Sequence, residues 1–262
     1  MTAGAPFELV GDATGERIGA VLLHGFTGTP FEVRYLGEHL ARAGLWVRAP
    51  LLPGHGTTLE ELDRTTWRDW VDEALRAVLA MRERCGRVAV VGQSLGGLLA
   101  LYLGSLGAPA PPIAAIATLA TPLWLPPLAA RVAASTQRGL LRGVRAIPKF
   151  GGSDVRDRRV RAENPCYDAI PTRALGHLLA FMRIVDDALP LVAPPVLVLH
   201  GARDHTAPVA CAARIAAGAR ARRVRILPRS YHLIAADVER DIVAAEVTRF
   251  IRHHPPPPPP RS

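Results

Sequence analysis

One interrupted apolar run, from Arg87 to Leu101, most constrains what this chain can fold into. Its first half is mostly apolar and β-branched, which predicts a strand buried on both faces. From Leu98 onward it is rich in leucine and alanine, which predicts a helix. Between the two halves stands Gly-Gln-Ser-Leu-Gly, residues 92–96. A strand that turns sharply into a helix forces the middle residue into strained backbone angles, and flanking glycines let the two elements pass closely.

This turn predicts that Ser94 is a nucleophile. Its hydroxyl would stand clear of the sheet at the start of a helix, where the backbone N–H of Leu95 would point at an oxyanion. The alternative for a Gly-x-Ser-x-Gly run is a glycine-rich turn with an incidental serine. The flanking strand and helix favour the nucleophile.

Two later residues complete a catalytic set, because a serine hydroxyl needs a base within hydrogen-bond reach. Asp204 follows a predicted strand over residues 195–200, and His232 follows another at Arg223–Leu227. His232 would accept the serine proton and Asp204 would orient the imidazole. The order serine, aspartate, histidine is the one expected in the α/β-hydrolase fold.

Each of these two residues has a competing interpretation. Asp204 could cap the helix predicted at Val209–Ala219. Asp237 is the closest rival for the acid and is assigned to the start of the last helix, Asp237–Ile251. Among the nine histidines, only His232 is late, follows a strand and lies in a loop beside that helix.

A second oxyanion donor is predicted in the loop His24–Pro30, which follows the apolar strand Ile18–Leu23. Its spacing matches neither a P-loop nor a dinucleotide-binding fingerprint. A loop of this kind after an early strand supplies an oxyanion N–H in serine hydrolases, and the backbone of Phe26 is the candidate. His24 and His55 are interpreted as structural histidines that hold their loops by hydrogen bonds.

A long segment, about residues 122–190, separates two predicted strands and is interpreted as a cap or lid. We expect helices in it at Pro127–Ala134 and Arg173–Asp186. Its apolar side chains either line an acyl pocket or pack the segment onto the sheet; they are Leu123, Trp124, Leu125, Phe150 and Phe181.

Composition predicts one large α/β domain, residues 1–254, with that insertion; the proline-rich residues 255–262 are expected to form a disordered tail. The formal charge of +9 comes almost wholly from arginine. Because the arginines are scattered without interleaved aromatics, we expect no nucleic-acid partner, while transient contact with an anionic membrane surface stays open. Three widely spaced cysteines indicate neither a disulfide framework nor a metal site. No secretory signal is visible in residues 1–17, so the expected location is the cytoplasm.

Together these motifs resemble the bacterial carboxylesterase and monoacylglycerol lipase family of α/β-hydrolases, from about Ile18 to Phe250. The resemblance implies a mostly parallel central sheet flanked by helices, with a small lid. It implies hydrolysis of carboxylic esters or monoacylglycerols without a cofactor or metal. By position it assigns the nucleophile, acid and base to Ser94, Asp204 and His232, and the oxyanion donors to Phe26 and Leu95.

The same resemblance suggests one substrate contact. In the lipase members an acidic residue of the lid, in a Tyr-acid-x-x-Pro context, contacts the glycerol end. Here that pattern is Tyr167–Pro171, with Asp168 in place of the longer glutamate. Two other functions stay open: an acyl thioesterase or C–C bond hydrolase that uses the same residues, and a non-catalytic binding protein on this scaffold.

Overall fold

The computed structural model of this chain describes residues 3–12, 15–127, 129–131, 135, 144–149 and 152–253. Its strands are β1 (Phe7–Leu9), β2 (Ile18–Leu23), β3 (Trp46–Ala49), β4 (Arg87–Gln93), β5 (Ala115–Leu119), β6 (Ala146–Pro148), β7 (Ala169–Pro171), β8 (Val196–Gly201) and β9 (Arg223–Leu227). The described helices are α1 (Phe31–Arg42), α2 (Leu59–Arg64), α3 (Trp67–Arg82), α4 (Leu95–Ser105), α5 (Arg158–Glu163), α6 (Thr172–Ala188), α7 (Ala210–Gly218) and α8 (Arg240–His253).

Seven of the strands form one sheet in the order β1-β3-β2-β4-β5-β8-β9. Only β1 runs antiparallel to its neighbour; the other pairs are parallel. The central strand β4 is buried at every residue, and so are β5 and β8. The predicted mostly parallel sheet is therefore confirmed, and β4 carries the chain to the middle of its C-terminal edge.

Alternate residues of each central strand pack into two separate cores, because successive side chains of a strand point to opposite faces. Val88 and Val90 join the core that α3, α4 and α6 cover. Ala89 and Val91 join the core under α1 and α8. With both faces covered, the strand has no solvent side, which explains its continuous apolar run.

Side chains that bind backbone N–H groups fix where helices α2 and α3 begin. Helix α3 begins at Trp67 because Thr66 and Asp69 form a capping box that ends the preceding turn. The closing helix α8 begins at Arg240 rather than Asp237. The short helix α2, capped by Thr58, was not expected from the sequence.

The segment between β5 and β8 is built from short pieces. Strands β6 and β7 form a separate two-stranded antiparallel sheet that the sequence did not predict. The predicted helix Arg173–Asp186 is confirmed as α6. The expected helix over 127–134 lies only partly within the described residues, and the tail lies outside them.

The five apolar side chains of this segment have different environments. Phe181 is fully buried and stacks on Trp67 of α3, with ring centroids 5.4 Å apart. Leu123 also joins the core, Trp124 is largely exposed, and Phe150 lies outside the described residues. Only Leu125 of these lines the cavity described below. For Phe181 and Leu123, packing onto the domain is thus the correct interpretation.

The cysteines, Cys85, Cys166 and Cys211, are all unpaired. None of the helices in the described part of the chain combines the length and the apolarity that crossing a bilayer requires.

Candidate active site

Ser94 occupies the turn between β4 and α4 with a positive φ of 54° and ψ of −115°. The expected backbone strain is thus confirmed. A Cβ at Gly92 would lie 2.0 Å from the Gly96 carbonyl carbon, and one at Gly96 would lie 2.1 Å from the Leu23 oxygen. The two glycines are therefore required for the close approach of β2, β4 and α4 that forces the serine out of the sheet.

Ser94, His232 and Asp204 come together at the C-terminal edge of the sheet. His232 Nε2 lies 2.9 Å from Ser94 Oγ, and His232 Nδ1 lies 2.8 Å from Asp204 Oδ2. All three side chains are buried or nearly so. This is the geometry in which an imidazole can accept a hydroxyl proton while a carboxylate fixes its tautomer.

The Asp204 carboxylate contacts both the His232 imidazole and its own loop, but it does not cap the following helix, so that alternative was wrong. Its Oδ1 accepts the backbone N–H groups of Thr206 and Ala207 at 2.8 and 2.7 Å, ahead of α7, which begins at Ala210 without a side-chain cap. Its Oδ2 faces His232 and lies 3.2 Å from His200 Nε2. Burial opposes ionisation, but the charge of His232 and these hydrogen bonds hold the pKa of Asp204 well below its usual range.

The His232 imidazole is basic despite its burial. Burial alone would lower its pKa, but the charge of Asp204 and the hydrogen bond to it outweigh this effect and raise the pKa above the usual value. Smaller contributions come from the carboxylates of Asp154 and Glu32. The ring is therefore a stronger base than a free imidazole, as acceptance of a serine proton requires.

The loop of His232 is held from two sides. The buried Gln93 side chain donates to the His232 carbonyl at 2.9 Å. From the insertion, the carbonyl of Asp154 accepts the N–H groups of His232 and Leu233 at 3.0 and 3.1 Å. The Asp154 carboxylate also binds His205, at 2.8 Å from its Nδ1. Asp154 was missed because it lies in an irregular stretch without periodicity.

Asp237, the rival acid, has a different environment. Its fully buried carboxylate accepts N–H groups from Arg156, Asp157, Tyr231 and Val238 at 2.7–3.0 Å. These contacts tie the insertion to the histidine loop. Asp237 also precedes α8 by three residues, so its assignment to the first turn of that helix was wrong.

The glycine-rich loop after β2 folds as a turn in which Gly28 N–H donates to the Gly25 carbonyl at 3.2 Å. His24 anchors it: Nε2 accepts the Leu52 N–H at 3.1 Å and Nδ1 lies 2.9 Å from the Gly25 oxygen. His55 Nδ1 lies 3.1 Å from the Pro53 oxygen. Burial lowers the pKa of both rings below the usual value for histidine, to about 4 for His55. The structural interpretation of both histidines is confirmed.

Glu32, at the start of α1, is a second residue that the sequence analysis missed. Its buried carboxylate accepts the backbone N–H of Gly25 at 2.8 Å. An acidic residue in the first turn of a helix is usually explained by its favourable interaction with the helix dipole, so the sequence alone does not single out Glu32. The burial that distinguishes Glu32 is visible only in three dimensions.

A cavity of about 530 Å³ opens onto Ser94 and His232. Its apolar wall consists mainly of Phe26, Pro122, Leu125, Pro126, Ala129, Ile170, Leu175, Leu178, Met182 and Leu233. Its polar wall includes Thr27, Glu32, Lys149, Ser153, Asp154, Arg161 and Cys166. The cavity therefore offers an apolar surface and a polar surface to a molecule that reaches the serine.

Asp168 is not brought to this cavity. Its side chain is exposed and, among the described residues, the cavity wall does not include it. Its backbone carbonyl accepts the Lys149 N–H at 2.7 Å. The neighbouring Tyr167 instead donates its N–H to the Thr27 carbonyl at 3.1 Å and its hydroxyl to the Gly54 carbonyl at 2.9 Å. The Tyr-acid-x-x-Pro pattern thus lies beside the glycine-rich loop, with its acid turned outward.

Among the described residues, no group of three or more histidine, cysteine, aspartate or glutamate side chains is placed to hold a metal ion.

Comparison with known proteins gives one family match and several similar proteins. The profile of the Alpha/beta hydrolase family matches residues 20–246. Thermostable monoacylglycerol lipase of Bacillus sp. (strain H-257) is 32% identical over 235 residues, covering 89% of this chain and 90% of the relative. Carboxylesterase of Bacillus subtilis (strain 168) is 28% identical over 234 residues, covering 88% and 91%.

Among solved structures, one described with the metagenome-derived lipolytic enzymes LipS and LipT superposes with a TM-score of 0.85 at 29% identity. The match covers 96% of this chain and 98% of that structure. The similarity therefore extends over both the sheet and the segment inserted between β5 and β8.

Proposed function

Because this chain belongs to the alpha/beta hydrolase family, we propose that it is a serine hydrolase that cleaves carboxylic esters through an acyl-enzyme on Ser94. The observation that carries the proposal is the continuous contact from Ser94 Oγ to His232 Nε2, 2.9 Å, and from His232 Nδ1 to Asp204 Oδ2, 2.8 Å. A serine placed in this way beside a largely apolar cavity is suited to attack an acyl carbonyl.

In the acylation step, His232 Nε2 accepts the Ser94 hydroxyl proton as Oγ bonds to the ester carbonyl carbon. The carbonyl electron pair moves to its oxygen, which becomes the oxyanion. When the intermediate collapses, the bond to the alcohol oxygen breaks and His232 returns its proton to the departing alcohol. Water then attacks the acyl-enzyme with the same proton transfers and releases the acid.

The backbone N–H groups of Phe26 and Leu95 are the proposed oxyanion donors. Leu95 is the first residue of α4, and the N–H at that position has no acceptor within its own helix. Phe26 lies in the glycine-rich turn and lines the cavity. Each such donor is typically worth about 3 kcal/mol of transition-state stabilisation.

For the substrate, we propose an ester with an apolar acyl group, either a simple carboxylic ester or a monoacylglycerol. The apolar wall from α6 and from Pro122, Leu125, Pro126 and Ala129 supports binding of the acyl chain. The relatives of 32% and 28% identity are a monoacylglycerol lipase and a carboxylesterase. The glycerol contact predicted for Asp168 receives no support from its exposed position.

The test uses purified protein and p-nitrophenyl esters from acetate to laurate, followed by monoacylglycerols of the same chain lengths. We expect turnover by the wild type, loss of turnover in Ser94→Ala, and fluorophosphonate labelling of Ser94 alone. Ser105→Ala, at the end of α4, is the matched control and should behave as wild type. An inactive wild type, or unchanged turnover in Ser94→Ala, contradicts the proposal.

The same assay separates the other functions. Faster turnover of acyl-CoA thioesters than of the matched esters would indicate a thioesterase. Turnover of a vinylogous diketone alone would indicate a C–C bond hydrolase. A wild-type protein that is neither labelled nor active would support the non-catalytic binding protein, against which the intact serine, histidine and aspartate arrangement argues.

A further inference from the structure

The buried carboxylate of Glu32 lies in the cavity wall but takes no part in the proton transfers. The side chain is only 4% exposed. Its Oε2 accepts the backbone N–H of Gly25 at 2.8 Å. Gly25 directly precedes Phe26, whose N–H is a proposed oxyanion donor. Resting on the function proposed above, we propose that Glu32 is a positioning residue that fixes the His24–Gly25 peptide and thereby orients the next peptide, so that the Phe26 N–H faces the oxyanion.

The glycine-rich loop is shaped around the Glu32 carboxylate. A Cβ at Gly28 would lie 2.0 Å from Glu32 Oε1, so no larger residue fits there while the carboxylate keeps its position. A Cβ at Gly25 would lie 3.0 Å from Glu32 Oε2 and 3.3 Å from the Cβ of Ser94. The backbone at Gly25 thus lies between the carboxylate and the nucleophile, and any displacement of Glu32 changes the wall next to Ser94.

The surroundings of Glu32 offset the cost of burying a carboxyl group. The positive end of α1 is adjacent, since Glu32 lies in the first turn of that helix. Lys149 and His232 act on it through their charges, and Asn164 through a hydrogen bond, yet burial still raises the pKa of Glu32. The Lys149 amine contacts Thr27 Oγ1 in the same loop. Two parts of the chain therefore hold this loop, one at Gly25 and the other at Thr27.

The acceptor oxygen of Glu32, and not its charge, performs the positioning. A negative charge beside the oxyanion would oppose the transition state, whereas a neutral carbonyl oxygen accepts the Gly25 N–H without that penalty. Glu32→Gln keeps an acceptor of the same length and should therefore retain activity. Glu32→Ala removes the acceptor and leaves the Gly25 N–H unpaired in a buried place.

Removing one oxyanion donor lowers kcat by about 10²–10³. Displacing the donor without removing it should lower kcat less. We therefore expect Glu32→Ala to lower kcat about 10- to 100-fold. KM should change little, because the ground-state carbonyl depends less on this donor than the oxyanion does. Glu32→Asp, which withdraws the carboxylate by one methylene, should lie between Glu32→Ala and the wild type.

The experiment measures kcat and KM on p-nitrophenyl butyrate, together with inhibition by an alkyl trifluoromethyl ketone, which adds to the serine and forms a stable oxyanion. For Glu32→Ala we expect the inhibition constant to rise by the same factor as kcat/KM falls, with Glu32→Gln close to wild type. The matched control is Glu246→Gln, a second buried glutamate that binds Arg223 and Arg225 away from the cavity. It should change the melting temperature but not kcat.

Three results would overturn the inference: an unchanged kcat in Glu32→Ala, a loss of kcat without a matching loss of ketone affinity, or a Glu32→Gln variant as impaired as Glu32→Ala. If Glu32→Ala does not fold, Glu32→Asp and Glu32→Gln carry the same comparison. Absence of turnover in the wild type would instead contradict the proposed ester hydrolysis, so the two failures are distinguishable.

Discussion

The central sheet and the segment between β5 and β8 are built in different ways. Strands β4, β5 and β8 are buried at every residue, and Ser94 and Asp204, the proposed nucleophile and acid, follow the ends of β4 and β8. In the inserted segment, the strands β6 and β7 have three residues each, and every residue of α5 is half-buried or exposed. The sheet is fixed by apolar burial, whereas much of the insertion is fixed by hydrogen bonds to loops of the domain.

Those hydrogen bonds are made to the loops that carry His232 and the proposed oxyanion donor Phe26. Asp154 holds the His232 loop through its carbonyl and the loop after β8 through its carboxylate, which accepts the His205 N–H at 2.9 Å. Tyr167 and Lys149 contact Thr27 in the glycine-rich loop. The sheet thus positions the residues proposed for catalysis, whereas the insertion lines part of the cavity and binds the loops that carry His232 and Phe26.

The largest expected effect lies in the sheet. Asp204→Asn should lower kcat by about 10⁴, because an amide can hold the His232 ring in the wrong tautomer while leaving the fold intact. Steady-state kinetics on p-nitrophenyl butyrate measures this. Asp187→Asn, an exposed acid on α6, is the control. A loss of only a few-fold would mean that the acid is supplied elsewhere.

The next effect concerns the turn that presents the serine. Gly92→Ala places a Cβ 2.0 Å from the Gly96 backbone, so the strand and helix must separate. Overpacking of this kind costs about 3 kcal/mol of folding free energy and should remove most activity as well. Thermal unfolding and turnover should fall together. Gly86→Ala meets only a flexible glutamate side chain at 3.2 Å and should be nearly neutral.

Asp154→Asn tests whether the insertion braces the active site. Loss of the negative charge that contacts the His205 side chain should loosen the loops beside His232 and lower kcat by about 10-fold, roughly 1.4 kcal/mol. The Asp154 charge also raises the pKa of His232. Because the reaction needs a neutral imidazole, activity rises as pH increases through that pKa, and removing the charge should move this rise to lower pH.

A pH profile of kcat/KM for wild type and Asp154→Asn measures that shift. Glu163→Gln, an exposed acid in α5 that pairs with Arg159, is the control and should leave the profile unchanged. A shift to higher pH, or identical profiles with identical kcat, would show that the insertion does not act on the histidine.

The smallest effect should appear in selectivity. Leu125→Ala enlarges the cavity at its apolar wall and should increase the preference for longer acyl chains about 4-fold, since one buried methylene contributes about 0.8 kcal/mol. The ratio of kcat/KM for laurate and butyrate esters measures it. Leu191→Ala, 66% exposed, should not change the ratio. An unchanged ratio in Leu125→Ala would place the acyl chain elsewhere.

Prediction from the sequence was most accurate where one local rule controls the outcome. The burial of β4 follows from a continuous apolar run, and the strain at Ser94 follows from the glycines around it. It failed where elements were short: β6 and β7 have only three residues each, too few to show an alternating pattern. For Asp168 the sequence context predicts a substrate contact that its exposed position does not support, and that contact stays a prediction.

The sequence by itself determined the long central strands and the positions of Ser94, Asp204 and His232 after strand ends, because periodicity and turn chemistry act over a few residues. Only the tertiary structure decided what Glu32, Asp154 and Asp237 bind. Glu32 binds the loop after β2, whereas the hydrogen bonds of Asp154 to His205 and of Asp237 to Arg156 join the insertion to the rest of the domain. A buried carboxylate has no sequence signature of its own, since its role depends on which backbone N–H groups the fold brings within reach.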